Sequence, residues 1–112
     1  MAKHGVVNHC NTIALWNQIM KEASLESKIV VVDCSAKWCG PCHYMEPCFN
    51  DLSSKYHHIL FIRIDIDQMK DVVYDMDIQG FPTFLVMRNG KEVDRILGAN
   101  KEELQKRVFL YA

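Results

Sequence analysis

Cys39 and Cys42 are separated only by Gly40-Pro41, and Trp38 stands directly before them. On a helix a three-residue step is close to one turn, so this spacing brings the two sulfurs together. The first turn of a helix is also where a thiol ionises most readily. Its unpaired backbone N–H groups and the helix dipole favour negative charge. The chemistry that follows is thiol–disulfide exchange. Cys39, at the cap and exposed, attacks a disulfide as the thiolate. Cys42, one turn inside and more buried, resolves the mixed disulfide and leaves a Cys39–Cys42 disulfide. Gly40 admits close approach of a substrate, and Pro41 presets φ at the helix start. Asp33 is the third candidate, a carboxylate within the apolar Val31-Val32-Asp33-Cys34. Burial raises its pKa, and a buried acid behind the dithiol is a proton acceptor for Cys42 during resolution. The plainer alternative makes Asp33 a strand-end residue that caps the turn into Trp38.

Two other chemistries use the same letters. One CxxC is half a zinc ligand set; no second pair at zinc spacing exists, and His43 and Cys48 lie in the same predicted helix as Cys42. Cys39-Gly40-Pro41-Cys42-His43 also reads as CxxCH, the haem-attachment string, with six methionines as candidate axial ligands. Its place directly after a buried strand in an α/β pattern, with no export signal, argues against haem. His43 is then expected to be a solvated residue at the edge of the site. Of the five cysteines, four lie between residues 34 and 48, which is not the spread of a disulfide scaffold. Met1-Ala2-Lys3-His4-Gly5 lacks an apolar leader, so a reducing, cytoplasmic setting is expected, with no metal in the site. A net charge of −1 with both signs scattered gives no surface for nucleic acid, and no apolar run is long enough for a membrane.

The elements that must position these residues read from the chain in order. At 112 residues with 49% hydrophobic content, one domain spanning 1–112 is expected. Val6-Val7 is an edge strand. Asn11 or Thr12 caps a helix with Ile13, Trp16, Ile19, Met20 and Ala23 on its apolar face. Ile29 to Cys34 is a β-branched run suited to a central strand buried on both faces. The helix carrying Cys42 extends to about Tyr56, with Met45, Phe49 and Leu52 inward and a bend expected at Pro47. Ile59 to Ile64 is the third strand, with Arg63 at a solvent edge and given no role. Asp67 caps a short helix over Met69 to Tyr74. Thr83 to Met87 and Val93 to Leu97 pair through the hairpin signal Asn89-Gly90. Asn100 starts a last helix with Leu104, Val108, Phe109 and Leu110 as its apolar positions. His57-His58 is a solvated helix-end pair, and Met69, Met76 and Met87 are core or loop residues. The order β-α-β-α-β-α-β-β-α gives an α/β fold, a mixed five-stranded central sheet with four helices on both faces.

Val30-Val31-Val32-Asp33, Ser35 to Cys42, Pro47, Phe81-Pro82-Thr83-Phe84, Asn89-Gly90 and Gly98 to Leu104 occur in the order of a known family. The chain resembles the thioredoxins, most closely the small cytosolic eukaryotic ones, over nearly all of its length after residue 29. The resemblance implies the thioredoxin fold and a protein-disulfide reductase. It implies a cis Phe81-Pro82 peptide packed against the dithiol, with Pro82 part of the catalytic set. It implies a docking surface of Trp38, Gly40, Pro41, Phe81, Pro82, Gly98 and Ala99. It also implies no bound cofactor, electrons from NADPH through a flavoprotein thioredoxin reductase, disulfide-containing protein substrates such as peroxiredoxins, and a monomer. His43 stands in place of the family's usual lysine, and Phe81 in place of a smaller residue. Cys34 and Cys48 stand where bulky apolar residues are common and are read as buried, whereas Cys10 is expected nearer the surface, able to crosslink dimers. The extra cysteines and Phe81 motivate an alternative, a redox-dependent partner-binding module.

Overall fold

The computed structural model describes residues 2–112. The elements follow as β1 (Val7–His9), α1 (Ile13–Leu25), β2 (Ile29–Ser35), α2 (Gly40–Lys55), β3 (Leu60–Asp65), α3 (Lys70–Asp75), β4 (Thr83–Arg88), β5 (Lys91–Leu97) and α4 (Lys101–Tyr111). The sheet order is β1-β3-β2-β4-β5. β3 runs parallel to β1 and β2, while β4 is antiparallel to β2 and to β5. This is the expected mixed sheet.

β2 is the centre of the sheet and is buried along its whole length, which is why its sequence is continuously apolar rather than alternating. Successive side chains still point to opposite faces. Val30, Val32 and Cys34 enter a core layer with Ile19, Met20 and Ala23 of α1 and Val72 of α3. Ile29 and Val31 enter the other layer with Met45, Phe49 and Leu52 of α2 and Leu104 and Val108 of α4. Both layers therefore hold β2, the strand that leads into the dithiol turn.

Local chemistry sets the element ends. Thr12 Oγ1 accepts the Leu15 N–H at 3.1 Å and caps α1, and Asn100 Oδ1 accepts the Glu103 N–H at 3.0 Å and caps α4. Asn89 and Gly90 both have positive φ, 53° and 72°, the geometry of a two-residue type I′ hairpin turn. α2 runs unbroken through Pro47.

Several expectations are corrected. β1 lies one residue later than Val6-Val7. β5 begins at Lys91 rather than Val93, because Lys91 and Glu92 already pair with Arg88 and Met87 across the turn; a register shift between Met87 and Val86 then leaves Val93 as the unpaired residue of a bulge. Asp67 does not cap α3. Met69 takes that position without a side-chain bond, and the Asp67 N–H donates instead to Asp65 Oδ1 at 2.8 Å. Phe109 and Leu110 are exposed. Leu104 and Val108 fix the inward face of α4, and each later residue turns about 100° away from it. Cys10 is fully buried, since its N–H extends the β1 ladder to the Arg63 carbonyl at 2.9 Å and its side chain enters the α1 layer. It is not placed for a surface crosslink.

Candidate active site

The turn from β2 into α2 delivers the two cysteines. The Cys39 N–H closes the turn on the Ala36 carbonyl at 3.2 Å, and Cys39 then stands at the N-cap with extended backbone. Its sulfur accepts the Cys42 N–H at 3.2 Å, so the first turn of α2 holds that sulfur in the way it would hold a thiolate. Cys39 and Cys42 are joined as a disulfide, their Cα atoms 5.2 Å apart. Cys39 is 5% exposed and Cys42 2%, so the expected order holds, but Cys39 shows only a narrow rim rather than an open thiol. A Cβ built on Gly40 meets nothing within 4 Å, so the space beside Gly40, next to the disulfide in the chain, is open.

Around that face the chain brings together residues distant in sequence. Trp38 is 67% exposed; its indole N–H donates to Asp67 Oδ2 at 3.0 Å, and its ring meets Phe81 edge-on at 6.1 Å. The Phe81–Pro82 peptide is cis. The Pro82 carbonyl accepts the Gly98 N–H at 2.9 Å, and the Thr83 hydroxyl donates to the Gly80 carbonyl at 2.6 Å. Gly98 has φ +84°, a conformation that favours glycine. A groove runs along Gln79, Phe81, Leu97 and Gly98. Leu97, an exposed apolar rim residue of this groove, was not singled out by sequence. Its signal was its place next to Gly98. Pro41 and Ala99 are exposed beside these residues in the chain.

Asp33 is almost completely buried, on the sheet face toward α2. Burial pushes its carboxyl up to about 6, against the opposing pull of Arg63, while Glu46 adds to the rise. Arg63 is the partner that sequence reading missed. The parallel register sets Asp33 opposite Arg63, whose Nε donates to Asp33 Oδ2 at 2.8 Å. The guanidinium also lies over the Phe49 ring at 5.5 Å. Arg63 is thus mostly buried and paired, rather than a free residue at a solvent edge. Among the described residues Asp33 Oδ1 has no hydrogen-bond partner. Asp33 does not cap the turn into Trp38, because the Ala36 carbonyl does.

His43 is exposed but not free. Its Nδ1 lies 2.6 Å from Glu46 Oε1 and its Nε2 2.6 Å from the Lys37 carbonyl. Both partners are acceptors, so the geometry suits the doubly protonated ring, and the pKa is raised, first by the Lys37 carbonyl and then by Glu46. His43 staples α2 to the turn before Trp38. Ser35, Lys37, His43, Glu46, Arg63 and Asp65 line a cavity of about 270 Å³ that runs from the surface toward the Asp33–Arg63 pair.

Cys10, Cys34 and Cys48 are buried thiols, each with its pKa raised by burial. Such thiols are poor nucleophiles. Cys48 packs between α2 and α4, while His43 faces Lys37, so the two residues weighed for a zinc set do not converge. Among the described residues no three His, Cys, Asp or Glu side chains are grouped to hold a metal ion, and no helix is long and apolar enough to cross a membrane.

Comparison with known proteins agrees with this arrangement. Residues 7–109 match the family model described as Thioredoxin. The chain is 39% identical to Thioredoxin H-type 1 of Nicotiana tabacum over 111 residues, covering 99% of this chain and 88% of that protein. The crystal structure of a thioredoxin from Nicotiana alata superposes with a TM-score of 0.91 at 37% identity, covering 99% of this chain and 96% of the other. A thioredoxin f2 chain from a complex with ferredoxin:thioredoxin reductase is similar too, with a TM-score of 0.88 at 30% identity, covering 96% of each chain.

Proposed function

This chain belongs to the thioredoxin family and is a thiol–disulfide oxidoreductase, a disulfide reductase; from that premise we propose how its own residues divide the work. The observation that carries the proposal is the Cys39–Cys42 pair at the N-cap of α2, with the Cys42 N–H on the Cys39 sulfur. In the reduced protein the Cys39 thiolate attacks one sulfur of a substrate disulfide. That S–S bond breaks, the second substrate sulfur leaves as a thiolate and takes a proton from water, and Cys39 is held in a mixed disulfide. The Cys42 thiol gives its proton to the Asp33 carboxylate and attacks the Cys39 sulfur. The first substrate sulfur leaves and is protonated in turn. The substrate has gained two electrons and two protons, and the protein holds the Cys39–Cys42 disulfide. Asp33 suits the proton-accepting role because a carboxyl near 6 is mostly ionised at neutral pH yet accepts a proton readily.

Trp38, Gly40, Pro41, Phe81, Pro82, Gly98 and Ala99 form the docking surface, and an extended substrate segment lies along the backbone at Phe81. The family acts with reductases, as the thioredoxin f2 complex illustrates. For this chain the electron source is NADPH through a flavoprotein thioredoxin reductase, and the clients are disulfide-bearing proteins such as peroxiredoxins. The chain works as one domain over residues 1–112, as a monomer in the cytoplasm, without a cofactor of its own. The cysteines that motivated a redox-gated binding module are buried, which leaves Phe81 alone in its favour.

The test supplies NADPH, a thioredoxin reductase and insulin, and follows NADPH oxidation. Wild type is expected to turn over, Cys39→Ser to lose activity, and Cys42→Ser to accumulate a mixed disulfide visible on non-reducing gels. Full turnover by Cys39→Ser would refute the assignment.

A further inference from the structure

Arg95 of β5 reaches across to the segment that leads into Pro82. Its Nη1 donates to the Asp77 carbonyl at 2.9 Å and its Nη2 to the Met76 carbonyl at 2.5 Å. These are consecutive peptide carbonyls just past the end of α3, where carbonyls lose helical donors and a positive charge is favourable. The other edge of the guanidinium meets Glu92, with Nε to Oε2 at 2.7 Å and Nη2 to Oε1 at 2.6 Å. One planar fork thus serves a carboxylate and two carbonyls at once, which the single ammonium of lysine cannot reproduce.

The clamped stretch begins at the end of α3. Asp77 has φ 51°, the left-handed conformation of a closing helix end, where the Ile78 N–H bonds back to the Val73 carbonyl at 3.0 Å, and Arg95 takes up the two carbonyls this closure leaves facing outward. Gln79 and Gly80 are exposed. At the far end the Thr83 hydroxyl fixes the Gly80 carbonyl, so the segment is pinned at both ends, by Arg95 and by Thr83. Directly after the second pin comes Phe81, which meets Trp38 and lines the groove in whose wall Arg95 stands. Arg95 is three residues before Gly98, and the Gly98 N–H bonds the Pro82 carbonyl, so clamp and docking edge share one strand.

We propose that Arg95, oriented by Glu92, is a positioning residue for protein substrates: by clamping the Met76 and Asp77 carbonyls it holds the Phe81 edge where an extended, disulfide-bearing segment docks. The proposal rests on the disulfide-reductase reading. It separates docking, which Arg95 serves, from sulfur chemistry, which it does not touch.

The experiment compares full-length wild type, Arg95→Met, Arg95→Lys and Glu92→Gln on insulin and on a small aromatic disulfide that needs no docking edge. Loss of the clamp is expected to raise the insulin KM of Arg95→Met about tenfold, the scale of one or two charge-assisted hydrogen bonds, with kcat held within about twofold. The small-disulfide rate should match wild type. Arg95→Lys should recover part of the KM, and Glu92→Gln should show a smaller rise. Amide hydrogen exchange should quicken at residues 78–81 in Arg95→Met and stay unchanged in β2, which also reports that the variant is folded. An unmoved insulin KM with a working wild type would overturn the positioning role, as would a parallel fall on both substrates. A wild type inactive on insulin would overturn the reductase reading and this proposal with it.

Discussion

Asp33 carries a cost that depends on pH. Its carboxyl is taken out of water, and its partner Arg63 offsets only part of the loss. The folded pKa of about 6 lies above the ordinary 3.8, so between these values the native state binds a proton that the unfolded chain releases. Stability therefore falls as pH rises through that window and is lowest above it. Asp33→Asn removes the titration while its side-chain carbonyl can still accept from Arg63. The variant should be more stable than wild type at about pH 7.5, by on the order of 3 kcal/mol, and the gap should close below about pH 4. Denaturant unfolding at the two pH values checks it, and an equal gap at both would refute it. The same substitution should slow resolution of the mixed disulfide. His43 gives a second titration. By NMR its ring should titrate above the ordinary histidine range, and Glu46→Gln should lower that midpoint only in part, because the Lys37 carbonyl remains. At this scale the sequence was informative where residue type and short spacing suffice, as for Cys39, Cys42 and Asp33. It was silent on Arg63, thirty positions from Asp33, and on the Trp38–Asp67 bond, because both depend on strand register.

The elements most legible in the chain were those with a strong local cause. The β-branched run of β2 and the Asn89-Gly90 turn need no tertiary information, and the caps Thr12 and Asn100 stand within a residue of where their helices start. Less legible were features set by neighbours. The bulge at Val93 follows from how β5 meets β4, and the exposure of Phe109 and Leu110 from which face α4 turns to the sheet. α4 is also tied to β5 by Arg107 and Tyr111, both bonded to Asp94. Its cap can therefore be tested apart from the site. Asn100→Ala leaves the Glu103 N–H without its acceptor and should lower stability by about 1 kcal/mol. The second-order rate on a small disulfide should not change. A fall in that rate matching the stability loss would mean that α4 supports the dithiol directly.

At the scale of the molecule the sheet separates two core layers, and the spare thiols sample both. Cys10 and Cys34 lie in the layer with α1 and α3, and Cys48 lies in the layer with α2 and α4. All three are buried, and burial raises each thiol's pKa. With the Cys39–Cys42 disulfide formed, the native protein should accordingly leave iodoacetamide nearly unconsumed at neutral pH. The order in which these thiols appear on unfolding reports on cooperativity. β2 contributes side chains to both layers, so neither layer can open without disturbing the strand that the other needs. If the chain is one domain, Cys48 should become reactive at the same denaturant concentration as Cys10 and Cys34, together with the loss of far-ultraviolet ellipticity. Peptide mapping by mass spectrometry separates the three sites. Labelling of Cys48 well before the other two would show that α2 and α4 can detach from the sheet. α2 carries the dithiol on its first turn, yet Cys39 and Cys42 pack in the layer of α1 and α3, so such opening would pull the two sulfurs against the layer that still holds them.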